Sequence, residues 1–460
     1  MRHWRSAAAA LALLAPAACA PRGTRVPTVP VVVIGDTARP PRDTVVIAAP
    51  AQPVPPPPVD VAPVANATAV RVGLIVDTST VEIGSSGDFT VGMERGEPAL
   101  VTGPATLQVR MENGALTYST RPGGGVPPSS SHHANGRGVP PPLIIRPARP
   151  GGTLTVRGQP YRGELHVQRA PGGGLTVVNR LDMETYLLGV VPREIGRFDL
   201  EIYEAIKAQA VAARTYAVTY LGRRQQQGFD VFATVEDQVY GGAAAENETV
   251  NRAVRETAGE ILTYNGQPIT AYYHSTCAGR TAAIDEVWNN APVPYLVSVR
   301  DVDPSGQAYD RASSRFRWEE RWTHEQLVSI LNRTLADSLG GRRISQIRDM
   351  RVLERTPSDR VRRMRIETDA GSFTVGKDRV RWILPPIRNG NPTGILNSSK
   401  FDVTLTRSGG RVTEIVAAGG GWGHGIGMCQ VGAMGRARAG QDYRTILRTY
   451  YPGTEIRKAY

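Results

Sequence analysis

With 460 residues, 41% of them apolar and 21% charged, the chain can bury a substantial core and exceeds one folded unit, which excludes disorder throughout. A net charge of +12 and a pI near 9.8 favour polyanionic surroundings, whether nucleic acid, anionic lipid headgroups or wall polymers. Charge by itself does not choose among the three.

From the N-terminus, Met1-Arg-His-Trp-Arg5 is a basic start and Ala7 to Ala15 an apolar run. Small residues then lead to Cys19, which together read as an export signal over residues 1–20. Ala17-Ala18-Cys19 resembles the end of a lipobox, with Pro16 where Leu is usual, so lipidation of Cys19 is expected. The rival is cleavage after Ala18-Cys19-Ala20, where Pro21 would present a rigid, donor-free residue to the peptidase. No later stretch of about 20 uncharged apolar residues follows, so the only membrane contact expected is the lipid anchor. The expected location is therefore the cell envelope, on the periplasmic or outer-surface side, and no nucleic-acid partner is expected. Setting Cys19 aside leaves Cys277 and Cys429 as a candidate pair in an oxidising compartment.

Residues 21–67 are rich in Pro, Val and Ala, including Pro55-Pro-Pro-Pro58, and read as a disordered, extended tether. Residues 68–175 form a β-rich N-terminal part, with strands expected at Val70–Val76, Gly87–Val91, Thr153–Val156 and Leu165–Val167. Within it, residues 122–150 are Gly/Pro/Ser/His-rich and read as a flexible insertion. Its His132-His133 pair is assigned no role. Residues 176–460 read as a mixed core.

The clearest helix is expected over Leu200–Gln227. Ile202, Ile206, Ala210, Ala213, Ala217 and Leu221 make a small-residue stripe on it, and Gly228 is a stop. Gln209, Arg214 and Tyr216 flank that stripe and need partners. Further helices are expected at Glu246–Thr257, Thr323–Ala336 and Tyr443–Tyr450, and strands at Glu260–Tyr264 and Ile269–His274. Because helices and strands do not alternate regularly, the fold class is α+β.

Three segments place reactive side chains among glycines or apolar residues. In Leu181 to Ile195, Glu194 follows Val190, Val191 and Pro192, just ahead of the expected long helix. An apolar setting raises a carboxyl pKa and lets the group donate a proton near neutrality, whereas a first-turn carboxylate needs only the helix dipole. In Tyr272 to Thr281, Ser275 and Thr276 suit hydrogen bonds to sugar hydroxyls, while His274 and Cys277 could form a metal or nucleophile pair. Zinc calls for four ligands, and no second close pair appears. In Gly419 to Gln430, Trp422 offers a flat face for a sugar, and His424 and Gln430 offer hydrogen bonds between glycines that admit close approach. The glycine spacing is not that of a dinucleotide loop.

Taken together these segments resemble the SpoIID/LytB family, the stage II sporulation protein D group. The resemblance rests on Leu181 to Glu194, Glu204 to Tyr216, Asp237-Gln-Val-Tyr-Gly-Gly242, Ser275 to Thr281, Val293-Pro-Tyr-Leu296, Gly421 to Ala433 and Tyr450-Tyr-Pro-Gly-Thr454, in that order. It implies a lytic transglycosylase acting on peptidoglycan strands, especially those stripped of stem peptides, with Glu194 as acid and then base and without a cofactor. Arg214, Tyr216, Gln238, Tyr240, Ser275, Thr276, Trp422, His424 and Gln430 are the implied strand-binding residues. Where the family has serines, this chain has Cys277 and Cys429. If both motifs line one cleft, as the resemblance suggests, a disulfide between them is expected in place of the metal that some relatives hold near the position of His274.

Two rival readings remain. Other family members modulate an amidase instead of cutting, which makes an amidase a candidate partner. A cysteine peptidase could use Cys277 with His274 or His424.

Overall fold

The computed structural model describes residues 44–47, 69–112, 114–122, 135–139 and 141–460. The export signal, Cys19 and the His132-His133 pair lie outside the described residues. Helices and several separate sheets are mixed along the chain, an α+β fold organised around three apolar cores.

The first core lies between two sheets. Along Thr80–Ser85 every second side chain is buried, Val81 and Ile83 inward, and Ala105–Glu112 repeats the pattern with Leu107 and Val109. These strands belong to a six-stranded sheet that faces a larger, mostly antiparallel one. The larger sheet runs in the spatial order Val231–Phe232, Ala69–Thr78, Leu175–Asp182, Glu164–Arg169, Leu143–Pro147, Phe89–Gly92 and Ala99–Val101. Two expectations change here. The insertion read as flexible contains the strands Asn135–Val139 and Leu143–Pro147, the latter inside the sheet with Leu143 and Ile145 fully buried. Leu-Ile-Ile is a strand signal that the surrounding Gly and Pro masked. In addition, Thr44–Ile47, within the expected tether, pairs in parallel with Gly371–Gly376 in the register Thr44↔Ser372 to Ile47↔Val375. Thr-Val-Val-Ile is a β-branched run that fits an edge strand.

The strand Leu175–Asp182 is the seam between the first and second cores. Leu175 and Val177 belong to the sandwich, while Leu181 packs with the helices that follow. Helix α1 covers Met183–Ile195, and Asp182 caps its start by accepting from the Thr185 N–H at 2.9 Å. Its end is set by Gly196, whose φ of 65° and N–H bonded to Pro192 make a left-handed cap. Helix α2, Tyr203–Tyr220, is shorter than expected. A 3-10 turn at Leu200–Ile202 precedes it, and the chain leaves helical geometry at Leu221. It is buried nearly all round, as its alanines require, and packs on α1, on α3 (Glu248–Glu256) and on the helices Gln430–Arg438 and Tyr443–Tyr450. Of the expected strand Ile269–His274 only Tyr273–His274 pairs, in parallel with Met428–Cys429.

A third core, formed by residues 318–417, lies between the helix His324–Thr334, started by a Thr323 capping box, and two small sheets. Among the described residues, no helix is long and apolar enough to cross a membrane.

Candidate active site

Glu194 is not at a helix start. It occupies the last turn of α1, where the unpaired carbonyls oppose a negative charge. The dipole reading of its position therefore has the wrong sign. The residue is half-buried, with its Oε1 accepting the Val239 N–H at 2.8 Å. Burial raises the carboxyl from the usual 4.5 to about 7, and hydrogen bonds from the Val239 backbone and the Gln430 and Tyr273 side chains pull it only partly back. Glu194 is thus poised to hold or release a proton near neutrality.

Segments far apart in sequence build its surroundings. Gln430 opens the helix Gln430–Arg438, and its Nε2 donates to the Glu194 backbone oxygen at 3.0 Å and to Gln209 Oε1 at 3.3 Å. Gln238 is fully buried. Its Nε2 donates to Tyr273 Oη at 3.0 Å and to the Ala213 carbonyl at 3.2 Å, while Tyr186 donates to its Oε1 at 3.1 Å. Tyr186, Gln238 and Tyr273 thus form one hydrogen-bonded chain, whose last member also favours the Glu194 carboxylate. Tyr273 was not singled out in the sequence, although it stands in the hydroxyl-rich stretch. Strand alternation turns it to the face opposite Tyr272 and His274, and that alternation was the available signal.

The hydroxyl turn and the glycine loop are stitched together. Thr276 and Trp422 exchange backbone hydrogen bonds of 3.0 and 2.8 Å, and the Val431 N–H donates to the Ser275 carbonyl. Trp422 is 49% exposed, with the Arg315 guanidinium 5.3 Å from its ring centroid. Ser275 is half-buried beside it. Thr276 is buried and hydrogen-bonded to Ser313 Oγ at 2.8 Å, which gives it a structural part. His424 accepts from the Ile426 N–H at 3.0 Å and lies among the rings of Tyr272, His274 and Trp288. Burial pushes it down to about 4, so it is neutral.

Three expected binding residues are engaged in internal contacts. Arg214 is 0% exposed and forks onto Glu184 at 2.8 and 2.7 Å, with the Glu260 carbonyl at 3.1 Å. It is a buried tie with no surface to offer a ligand. Tyr216 stacks on Tyr220 at 4.0 Å and donates to Asp237 at 3.3 Å. The Tyr240 hydroxyl donates to Asn179, and its ring lies on Gly189, where a Cβ would meet it at 2.4 Å. Gly189 is thus what lets the Gln238–Tyr240 segment close on α1.

Cys277 and Cys429 are adjacent but are free thiols, not a disulfide, and both are fully buried. Cys277 Sγ donates to Asp301 at 3.3 Å, while Cys429 Sγ accepts the Gly432 N–H at 3.3 Å. Burial pushes both thiols up, Cys429 to about 11, so neither is a nucleophile and the peptidase reading fails. One donor atom each from His274, Cys277 and Cys429 falls within 4.8 Å of the others, and His274 Nε2 is buried without a partner. That set fits a thiophilic ion such as zinc better than its isolated spacing in sequence indicated.

Residues 171–264 match the family model described as Stage II sporulation protein, and residues 305–427 match a domain of unknown function, DUF8618. The chain is 30% identical over 297 residues to Stage II sporulation protein D of Bacillus subtilis, covering 61% of this chain and 76% of that protein. It is 33% identical over 304 residues to an uncharacterized protein of Brachyspira hyodysenteriae, covering 66% and 74%. Similarity to the Amidase enhancer of Bacillus subtilis is 33% over 299 residues, but the chain spans only 40% of that protein's length.

Proposed function

The chain belongs to the stage II sporulation protein D family, and from that premise we propose that it is an exported lytic transglycosylase of the cell wall, with Glu194 as its single acid and base. The observation that carries the reading is a carboxyl in the last turn of α1, held by the Val239 N–H with no ion pair among the described residues, which burial raises to about 7.

In the proposed reaction, neutral Glu194 protonates the oxygen that links N-acetylmuramic acid to N-acetylglucosamine. The bond to muramic C1 breaks and positive charge develops on that ring. The resulting carboxylate takes the proton from the muramic C6 hydroxyl, whose oxygen closes on C1 to give a 1,6-anhydro end. Glu194 is neutral again, no water is consumed, and no second carboxylate is required. Tyr273 and Gln430 favour the carboxylate in the second half of the cycle. An ion held by His274, Cys277 and Cys429 would brace the hydroxyl turn against the glycine loop. Lipidation at Cys19 would hold the enzyme in the envelope.

The test is product analysis on peptide-free glycan with purified protein and no partner. Anhydro-ended products from the parent chain, with loss of at least about 10³-fold in Glu194→Gln, are expected. Unimpaired turnover in that variant would assign the chemistry to another residue. The similarity to a protein named Amidase enhancer favours the second reading, a wall-binding modulator, which predicts no products from the chain alone and faster cutting by an amidase supplied with it.

A further inference from the structure

A groove of about 770 Å³ opens at the N-terminal end of α1, lined in part by Arg146, Arg149, Arg162, Arg180, Glu164 and Asp182. It lies one helix length from the acid: thirteen residues at a rise of about 1.5 Å put the two ends about 20 Å apart. Residues 239–246 run between them. The Val239 N–H is on Glu194, Gly241 packs against Arg193, Gly242 packs against Tyr161, and Glu246 pairs with Arg162 at 2.5 Å beside the groove. Gly241-Gly-Ala-Ala-Ala245 keeps that path low, since none of its side chains is larger than a methyl group.

Positive charge in the groove is only partly matched. Arg146 sits 2.6 Å from Glu164, Arg162 is taken by Glu246, and Asp182 is committed to capping α1. Arg180 comes no closer than 4.0 Å to Glu164, and its side chain is 49% exposed. Arg149 is exposed on the neighbouring turn and has no ion pair among the described residues, and the same holds for Arg193 at the catalytic end. Guanidinium forks suit carboxylates. A peptide-stripped glycan strand carries one free lactyl carboxylate on each muramic residue, so it is a linear polyanion.

We propose that this groove is an anion subsite, in which Arg180 and Arg149 hold lactyl carboxylates of a glycan strand that runs from Glu194 along residues 239–246. The inference rests on the transglycosylase reading and adds to it the reason that removal of stem peptides would matter: each removal uncovers the carboxylate that the arginines take.

Binding and cutting are tested together but scored apart. The full chain and the double variant Arg149→Gln/Arg180→Gln are compared on peptide-free strands with free or methyl-esterified carboxylates and on vesicles of anionic phospholipid, by co-sedimentation, and on the strands also by release of anhydro products. Both positions are on the surface, so the variant is expected to fold. The expected result is binding to free strands weakened about tenfold, within the range for two exposed ion pairs, with no change on esterified strands. Equal loss on both strands, or no loss on either, overturns the subsite. A loss seen only with vesicles of anionic phospholipid also overturns it and assigns the groove to lipid phosphate. Carboxylate-selective binding without product release sustains the subsite and rejects catalysis.

Discussion

Glu184 and Glu194 lie on the same helix, one in its first turn and one in its last, and both are shielded from water, yet they are prepared for opposite tasks. At Glu184, burial pushes the carboxyl upward, but the Arg214 fork, Tyr460 and the Gly259 N–H override it and hold the group below the usual range. Its helix end favours negative charge as well. Glu194 has neither a guanidinium nor a favourable helix end, and a backbone N–H and two neutral side chains do not offset its burial. Depth does not set the protonation state here. The presence of a full counter-charge does, and α1 carries the two outcomes side by side.

Three substitutions would break or sharpen that contrast. The largest effect is expected from Arg214→Leu, which leaves Glu184 without its cation and costs about 3–5 kcal/mol, read by chemical denaturation. Cutting per folded molecule should be unchanged, because the guanidinium never reaches the cleft. A selective loss of activity with full stability would restore Arg214 as a ligand residue. Next, Glu194→Gln should stabilise the protein in a pH-dependent way. The folded pKa of about 7 exceeds the unfolded 4.5, so neutral Glu194 supports folding below 4.5 and that support is lost as pH rises through 7. Allowing for its partial exposure, the variant should gain on the order of 2 kcal/mol at pH 8 and none at pH 4. Destabilisation at pH 8 would mean that the carboxylate is satisfied after all. The smallest change is expected from Tyr273→Phe, which removes a hydrogen bond that favours the carboxylate. Glu194 should then titrate higher, and the alkaline limb of the pH–rate profile should move up by about half a unit to one unit. A limb that stays or moves down would detach Tyr273 from the acid.

How much of this was legible in sequence follows from where each residue's partner lies. The helices expected over Thr323–Ala336 and Tyr443–Tyr450 are local matters and appear, the first as His324–Thr334 and the second as expected. Helix α1 was not drawn at all. It holds Gly189, two β-branched valines and Pro192, all poor helix formers, and only the Tyr240 ring, fifty residues on, explains the glycine. Arg214 was recognised as a polar group in need of a partner, but Glu184 could not be chosen without the fold. The apolar setting of Glu194 was visible from its neighbours, whereas its place at a helix end was not. The strands at residues 44–47 and 143–147 were lost because Pro and Gly around them outweighed four- and three-residue β-branched or aliphatic runs.

The hydrogen bond from Gln430 to Glu194 spans 236 residues and closes the site from a helix near the end of the chain. A chain synthesised from its N-terminus holds α1 and α2 long before it holds that clamp. Should it fold as it emerges, Glu194 would remain without Gln430 and Tyr273 would lack its Met428–Cys429 neighbour until residues 428–430 had been made. Premature release or C-terminal trimming would then yield a body that keeps α1 and α2 but leaves Glu194 without its distant clamp.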